Sequence, residues 1–341
     1  MNFTNSLIVW YLRYKRELPW RDTNDPYPIW LSEIMLQQTR VAQGMPYYFA
    51  FLEAFPTVQD LAAASEEQVL KLWQGLGYYS RARNLHKTAR IVAFELDGKF
   101  PDNFKDLLQL KGVGEYTAAA IASFAFDEAV PVVDGNVFRV LSRYFDIETD
   151  IAEASAKKEF FALALELMPK DNPAVFNQAI MEFGALQCVP RNPDCAVCPL
   201  NAGCLALKLK KVNQLPVKSK KVKVRTRFLN YLVVSDANGH SVIRKRTEKG
   251  IWHNLYEFPL FETAALAEPQ AVLEKAGSLF PEVISIAERK NVNHKLSHQN
   301  LHVTFWHVEV AGAVAGGIDA VAMRTFPFPV VIYNFIANDW H

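Results

Sequence analysis

The sequence predicts a multi-domain chain: an all-α region over residues 1–205, a basic linker over 206–225, and a C-terminal α+β domain over 226–341. Three observations carry this division. Apolar residues recur at helical spacing through the first part, cations without acids crowd the stretch after it, and the apolar period becomes two beyond about residue 226. With 50% apolar and 21% charged residues, the composition is globular and excludes a disordered, collagen-like or coiled-coil chain. Its 341 residues suit two or three domains.

No run approaches the ~20 apolar residues that span a bilayer. The stretch Leu7–Leu12 is too short for a signal peptide, and Arg13, Lys15 and Arg16 follow it instead of preceding it. An intracellular, soluble, cytoplasmic protein with no membrane partner is therefore expected. A net charge of +1 does not announce a nucleic-acid binder, so that case rests on where the charge sits.

Pro28 suits the start of a helix running toward Thr39. On it, Glu33 has Ile29, Trp30, Leu36 and Gln37 as its neighbours three and four residues away. A carboxyl on such a face is expected to be desolvated and its pKa raised, which fits a general acid. Ser65 and Gln68 read as a capping box before Val69, Leu70, Leu72 and Trp73, closed by Gly75. The glycine-bent stretch Gly75–Asn84 holds two tyrosines and two arginines, suited to filling a gap in a base stack. Between Leu110 and an Ala-rich helix, Lys111, Gly112, Val113 and Gly114 form a helix–hairpin–helix signature whose exposed N–H groups can hold a phosphate. Asp134 ends an extended run and caps a helix marked by Val137, Val140, Leu141 and Tyr144. The helix dipole favours its ionised form. One protonated and one ionised carboxyl suit glycosidic-bond cleavage, and beside a phosphate-gripping hairpin the natural bond is N-glycosidic, in DNA.

All four cysteines, Cys188, Cys195, Cys198 and Cys204, fall within seventeen residues at C-x6-C-x2-C-x5-C spacing. A disulfide framework would be spread over the chain. Four thiolates in one loop suit one structural metal centre, and spacing alone divides evenly between zinc and an iron–sulfur cluster. The following cations, Lys208, Lys210, Lys211, Lys218, Lys220, Lys221, Lys223, Arg225 and Arg227, suit a linker lying along a polyanion. In the tail, Leu232–Val234, Asn238-Gly239 and Val242-Ile243 read as a hairpin, and Leu301, Val303 and Phe305 alternate.

Together these motifs resemble those of the adenine DNA glycosylases, the mismatch-specific branch of the endonuclease III-like superfamily. The matching pieces are Leu18–Arg21, Trp30–Thr39, Gly75–Asn84, Leu110–Thr117, Val133–Leu141 and the cysteine loop, in order over residues 1 to about 205. The resemblance implies a two-lobed, all-α helix–hairpin–helix core with an iron–sulfur cluster loop. One lobe would be a six-helix barrel over about 29–128; the other would join 1–28 to 129–205. It implies one [4Fe–4S] cluster on the four cysteines, Glu33 as the acid that protonates adenine N7, and Asp134 as the carboxylate that stabilises the oxocarbenium-like sugar. Tyr116 and Asn136 would support them. Trp20, Arg21 and Gln178 would lie near the flipped adenine, with Gln38 and Tyr78 beside the opposite base and Lys111–Gly114 on the phosphate backbone. Tyr116 stands where strand-cutting relatives carry a nucleophilic lysine, so a monofunctional glycosylase is expected.

The tail resembles a Nudix-like domain that reads 8-oxoguanine. Gly250–Pro259 looks like its strand-and-turn signature, and His294–His298 like the loop touching the damaged base, with Ser297 and His298 as its hydrogen-bonding groups. The family often has Gly-Gly where His253-Asn254 stand and Phe where Leu296 stands. The clustered acids of a Nudix box are missing, so no pyrophosphatase activity is expected. The implied partner is duplex DNA carrying an A:8-oxoguanine or A:G mismatch, bound by a monomer. Competing expectations are a thymine- or pyrimidine-lesion glycosylase and a non-catalytic DNA-binding or redox protein.

Overall fold

A computed structural model describes residues 2–219, 224–280 and 282–340. Lys220, Lys221 and Lys223 of the expected linker lie outside them. The helical part runs α1 (Phe3–Tyr14), a 3-10 turn (Pro19–Arg21), α2 (Pro26–Met35), α3 (Val41–Ala54), α4 (Val58–Ala63), α5 (Glu66–Leu72), α6 (Ser80–Glu95), α7 (Phe104–Leu107), α8 (Glu115–Phe126), α9 (Gly135–Phe145), α10 (Ala154–Leu167), α11 (Pro173–Leu186) and α12 (Leu205–Lys208). The tail follows as β1 (Arg225–Ser235), β2 (Arg244–Lys245), β3 (Tyr256–Glu257), β4 (Leu260–Thr263), α13 (Pro269–Leu279), β5 (Val283–Lys295), β6 (Gln299–Val310), α14 (Ala320–Met323) and α15 (Val330–Asn338). Two compact units result: Met1–Ala63 with Asn84–Lys220, and Ala64–Arg83 with Lys221–His341. Helix α5 and the first residues of α6 thus belong to the unit that contains the tail.

In the first unit, α2 packs against α8. Asp25 caps α2 by accepting from Tyr27 N, with Pro26 at the first helical position. Helix α8 buries every residue from Thr117 to Ser123, as an interior helix must when it is apolar all round. A second core joins α1, α9, α10 and α11 through Leu7, Trp10, Val140, Phe160, Phe176 and Phe183. Burying each such side chain contributes about 1.5–3 kcal/mol.

The cysteine loop requires a correction. Its four side chains line a pocket with Arg143, Tyr144 and Leu200. Among the described residues, however, no group of three or more His, Cys, Asp or Glu side chains is gathered to hold a metal ion. Cys188, Cys195, Cys198 and Cys204 form no disulfide. Cys204 Sγ lies 3.4 Å from the Arg143 carbonyl. Burial pushes Cys198 up to about 11 and also raises Cys195 and Cys204. The loop is held instead by Arg143, which donates to Cys188 Sγ and to the Val189 and Pro190 carbonyls. The expected iron–sulfur loop, its [4Fe–4S] cofactor and the metal-binding assignment do not hold for this structure.

In the second unit, four strands lie in the order β4-β1-β6-β5. β1 runs parallel to β6, with Leu232 opposite Trp306, and antiparallel to β4. β5 and β6 form a long antiparallel hairpin with two bulges. Helix α13 covers one face through Val272 and Ala276, against Leu232, Val234 and Trp306. On α15, Phe335 stacks on Phe305 at 4.0 Å. Asn238-Gly239 does make a turn, with Gly239 at φ +74°. The strand after it does not return to β1, which corrects the expected hairpin; β2 pairs with β3. Leu229–Val234 is buried at every residue. A run buried on both faces is a central strand, and its neighbours come from elsewhere in the chain.

Candidate active site

Glu33 is 7% exposed on α2. Burial pushes its pKa up to about 7, against a hydrogen bond from Tyr116 that lowers it; the Asp134 carboxyl raises it further and Arg21 opposes. Tyr116 is itself driven well above 10 by its own burial and by the two carboxyls. Its hydroxyl also lies 3.6 Å from Met181 Sδ. Near neutral pH the carboxyl therefore passes between its protonated and ionised forms, beside a phenol that keeps its own proton.

Asp134 is the N-cap of α9 and accepts from the N–H groups of Asn136 and Val137, both at 2.8 Å. Asn136 Nδ2 donates to its other oxygen at 2.7 Å. The two carboxyls were expected to shift in opposite directions, and the structure differs. Burial also raises Asp134, because the three hydrogen bonds and Arg139 only partly offset the loss of water. The contrast lies in support: Asp134 has three donors for its negative charge.

Residues that sequence reasoning passed over hold this network in place. Arg139 Nη2 donates to Asn136 Oδ1 at 2.8 Å and to the Gly184 carbonyl at 2.6 Å, and its Nε to the Cys188 carbonyl at 2.7 Å. Gly184 is needed because a Cβ there would stand 2.6 Å from that of Asn136. The extended segment leading to Asp134 is fixed by buried Asn177, which accepts from Val132 N and donates to Val130 O and Ser123 Oγ, all at 2.9 Å. Asn177 and Gly184 lie on α11, far along the chain from Asp134, and Arg139, on α9 itself, meets Gly184 and Cys188 only in the folded protein, so none carries a local signal of such a role.

One cavity of about 740 Å³ is lined by Glu33, Gln38, Gly112, Gly114, Tyr116 and Asp134, together with Gln37, Lys157 and Phe161. Gly112 has φ +78°, and a Cβ there would meet Asn84 Cβ at 2.6 Å. Gly114 caps α8 with backbone alone. The first N–H groups of α8 can therefore face an anion. Lys111 and buried Val113 belong to the same hairpin. Gln38 is exposed at φ +55°, a conformation unusual for a side chain of its kind. Other predicted site residues do not line the cavity. Trp20 is buried with its ring edge against Tyr48 at 5.1 Å. Arg21 donates to Glu182 at 2.8 Å. Burial would raise Glu182, but the Arg16 and Arg21 bonds hold it at about 2. Gln178 accepts from the Tyr11 hydroxyl.

In the second unit, Tyr78 is 41% exposed at φ +49°, with the Arg81 guanidinium over its ring at 5.5 Å. Ser297 and His298 sit exposed at the tip of the β5–β6 hairpin, Ser297 Oγ 3.1 Å from His298 Nδ1.

Two family models match this chain. That of the HhH-GPD superfamily base excision DNA repair proteins covers residues 31–169, and that of the NUDIX domain covers 230–338. The first defines the class: a base-excision repair glycosylase built on the helix–hairpin–helix. An adenine DNA glycosylase of Buchnera aphidicola (subspecies Schizaphis graminum) is 38% identical over 306 residues, covering 88% of this chain and 86% of that protein. The human adenine DNA glycosylase is 48% identical over 213 residues, 60% of this chain and 39% of its own length. A solved structure, a thermostable thymine-DNA glycosylase, superposes with a TM-score of 0.56 at 31% identity, over 61% of this chain and 95% of that one. The chain belongs to the adenine DNA glycosylase family. It is a hydrolase of N-glycosyl bonds that excises adenine from DNA. Among the described residues, no helix is long and apolar enough to cross a membrane.

Proposed function

We propose that this enzyme removes adenine paired with 8-oxoguanine or guanine in duplex DNA, acting as a cytoplasmic monomer. Adenine swings into the Glu33–Asp134 cavity, whose volume suits a single base with its sugar. Glu33 gives its proton to N7, the C1′–N9 bond breaks with its electron pair going to N9, and neutral adenine leaves. Asp134 stabilises the cationic sugar, by charge or through a transient ester, until water adds to C1′, breaking any Asp134–C1′ bond with its electron pair returning to the Asp134 carboxylate, and passes its proton to the Glu33 carboxylate. Tyr116 holds the Glu33 carboxyl in place, and Asn136 holds Asp134. Trp20, Arg21 and Gln178, which stand outside the cavity lining, are assigned to the surroundings of the flipped adenine. Gln38 and Tyr78 probe the gap beside the opposite base, and Lys111–Gly114 grips the backbone. In the tail, Ser297 and His298 hydrogen-bond 8-oxoguanine. Residues 1–205 supply the chemistry, 226–341 read the lesion, and 206–225 join them.

The observation that carries this reading is a buried carboxyl, pushed to about 7, in one cavity with a capped aspartate. The test is single-turnover excision from an A:8-oxoguanine duplex, with nicks scored only after hot alkali. Glu33→Gln is expected to lose excision by at least about 10²-fold while keeping DNA binding and thermal melting. Full activity in that variant would overturn the assignment.

A further inference from the structure

The segment carrying Tyr78 shares its compact unit with the tail, and the bonds that hold it there are specific. Lys71 Nζ donates to the carbonyls of Arg324 and Phe326, at 2.5 and 3.0 Å, and lies over the Tyr333 ring. Gln74 Oε1 accepts from Phe328 N at 2.9 Å, and the Tyr79 hydroxyl donates to the Phe328 carbonyl at 3.2 Å. A second set comes from the loop before β3. Arg83 donates to the His253 carbonyl at 2.8 Å, Asn254 Nδ2 to Glu66, and the Tyr256 hydroxyl to Glu67 at 3.0 Å. That loop also touches the β5–β6 hairpin, because the Trp252 ring lies 6.0 Å from the ring of His294. A continuous chain of contacts therefore runs from the hairpin that ends in Ser297 and His298, through Trp252 to Asn254, and on to the helix and loop that present Tyr78.

We infer that the loop 252–256 is a latch that couples the lesion-reading hairpin to the Tyr78 segment, with Asn254 and Tyr256 as positioning residues. The inference rests on the proposed roles of Ser297 and Tyr78. Its physical basis is that Tyr78 sits in a left-handed backbone conformation that its own sequence does not favour, so surrounding contacts must sustain it. Its own segment supplies some of them, through Trp73 Nε1 and Arg81 on the Gly77 carbonyl, and the tail supplies others on either side, at Gln74, Tyr79 and Arg83. What the hairpin meets on the opposite base then changes how firmly the segment is held.

Asn254 allows a clean test. It stands at φ +65°, where glycine is at least as comfortable, so Asn254→Gly removes the bond to Glu66 without straining the backbone. Tyr256→Phe removes one hydroxyl and keeps the ring against Phe326. In the full-length protein, single-turnover excision is measured on A:8-oxoguanine and A:G duplexes for the wild type, the Asn254→Gly/Tyr256→Phe double variant and Ser297→Ala. Amide exchange of residues 75–83 is followed alongside. The double variant is expected to lower the 8-oxoguanine-to-guanine rate ratio about 3- to 10-fold and to speed exchange across 75–83, with melting unchanged. A ratio that falls in Ser297→Ala but stays at the wild-type value in the double variant overturns the latch alone. A ratio unchanged in Ser297→Ala overturns the reader assignment and removes the latch with it.

Discussion

Glu33 shows how one residue's surroundings set its chemistry. A carboxyl that is nine-tenths buried and opposed by a second acid binds its proton until about pH 7. Excision that uses this proton is expected to fall about tenfold per pH unit well above about pH 7, and to fall again at lower pH where Asp134, raised by burial, takes up its own proton; a pH–rate profile on a fixed duplex measures this. The same proton is linked to stability. Folded Glu33 holds it more tightly than the unfolded chain, whose ordinary value is 4.5. Between about pH 4.5 and 7 the folded state therefore carries more protons, and stability declines as pH rises, by on the order of 3 kcal/mol. Urea unfolding across this window should show that decline in the wild type and a markedly smaller one in Glu33→Gln, where Asp134, raised in the same direction, remains. Tyr116 makes a separate prediction. A phenol cannot form the Schiff base that a lysine in its place would, so borohydride should trap no covalent DNA complex. Efficient trapping with nicking before alkali would count against a monofunctional enzyme.

At the scale of elements, the site depends on how closely α9 and α11 approach. Gly184 lets the two helices meet over Asn136, and Arg139 ties them together. Gly184→Ala is expected to cost about 1–3 kcal/mol of stability through overpacking and to slow excision by displacing the donor to Asp134. Normal single-turnover rates together with a lowered melting point would confine Gly184 to a packing role. In the hairpin, Gly112→Ala combines an unfavourable positive φ with a 2.6 Å clash against Asn84. It is expected to weaken binding to matched and mismatched duplexes alike, since phosphate contacts carry no sequence information; fluorescence anisotropy on both duplexes checks this. The helices themselves were legible in the sequence. The Ser65–Gln68 capping box forms as its spacing indicates, and the Val137, Val140 and Leu141 face of α9 is buried. The β1 neighbours were not, because a strand buried on both faces gives no sign of which distant segments flank it.

On the scale of the whole molecule, the chain does not divide where its composition changes. Residues 64–83 leave the helical part to join the tail's compact unit. Lys71, Gln74 and Tyr79 all bond to backbone groups between Arg324 and Phe328. Removing residues 226–341 is therefore expected to cost more than lesion reading. It should raise amide exchange across 65–83 by at least about tenfold, since those opening events lose their tertiary restraint. Protection equal to that of the full chain would show that the segment is stable without the tail.

The sequence by itself determined the helical and α+β regions, the hairpin glycines, the capping aspartate and the greasy face around Glu33, because each depends on neighbours within a few residues. It also suggested a metal centre from cysteine spacing, and the folded loop holds those thiols with Arg143 instead. Tertiary structure alone decided the rest. It gathered Asn177, Arg139 and Gly184 behind Asp134, raised both carboxyls together, and placed Tyr78 in the tail's keeping. The physical reason is range: capping and periodicity act over a single turn of backbone, whereas desolvation and side-chain networks exist only once distant segments have closed water out.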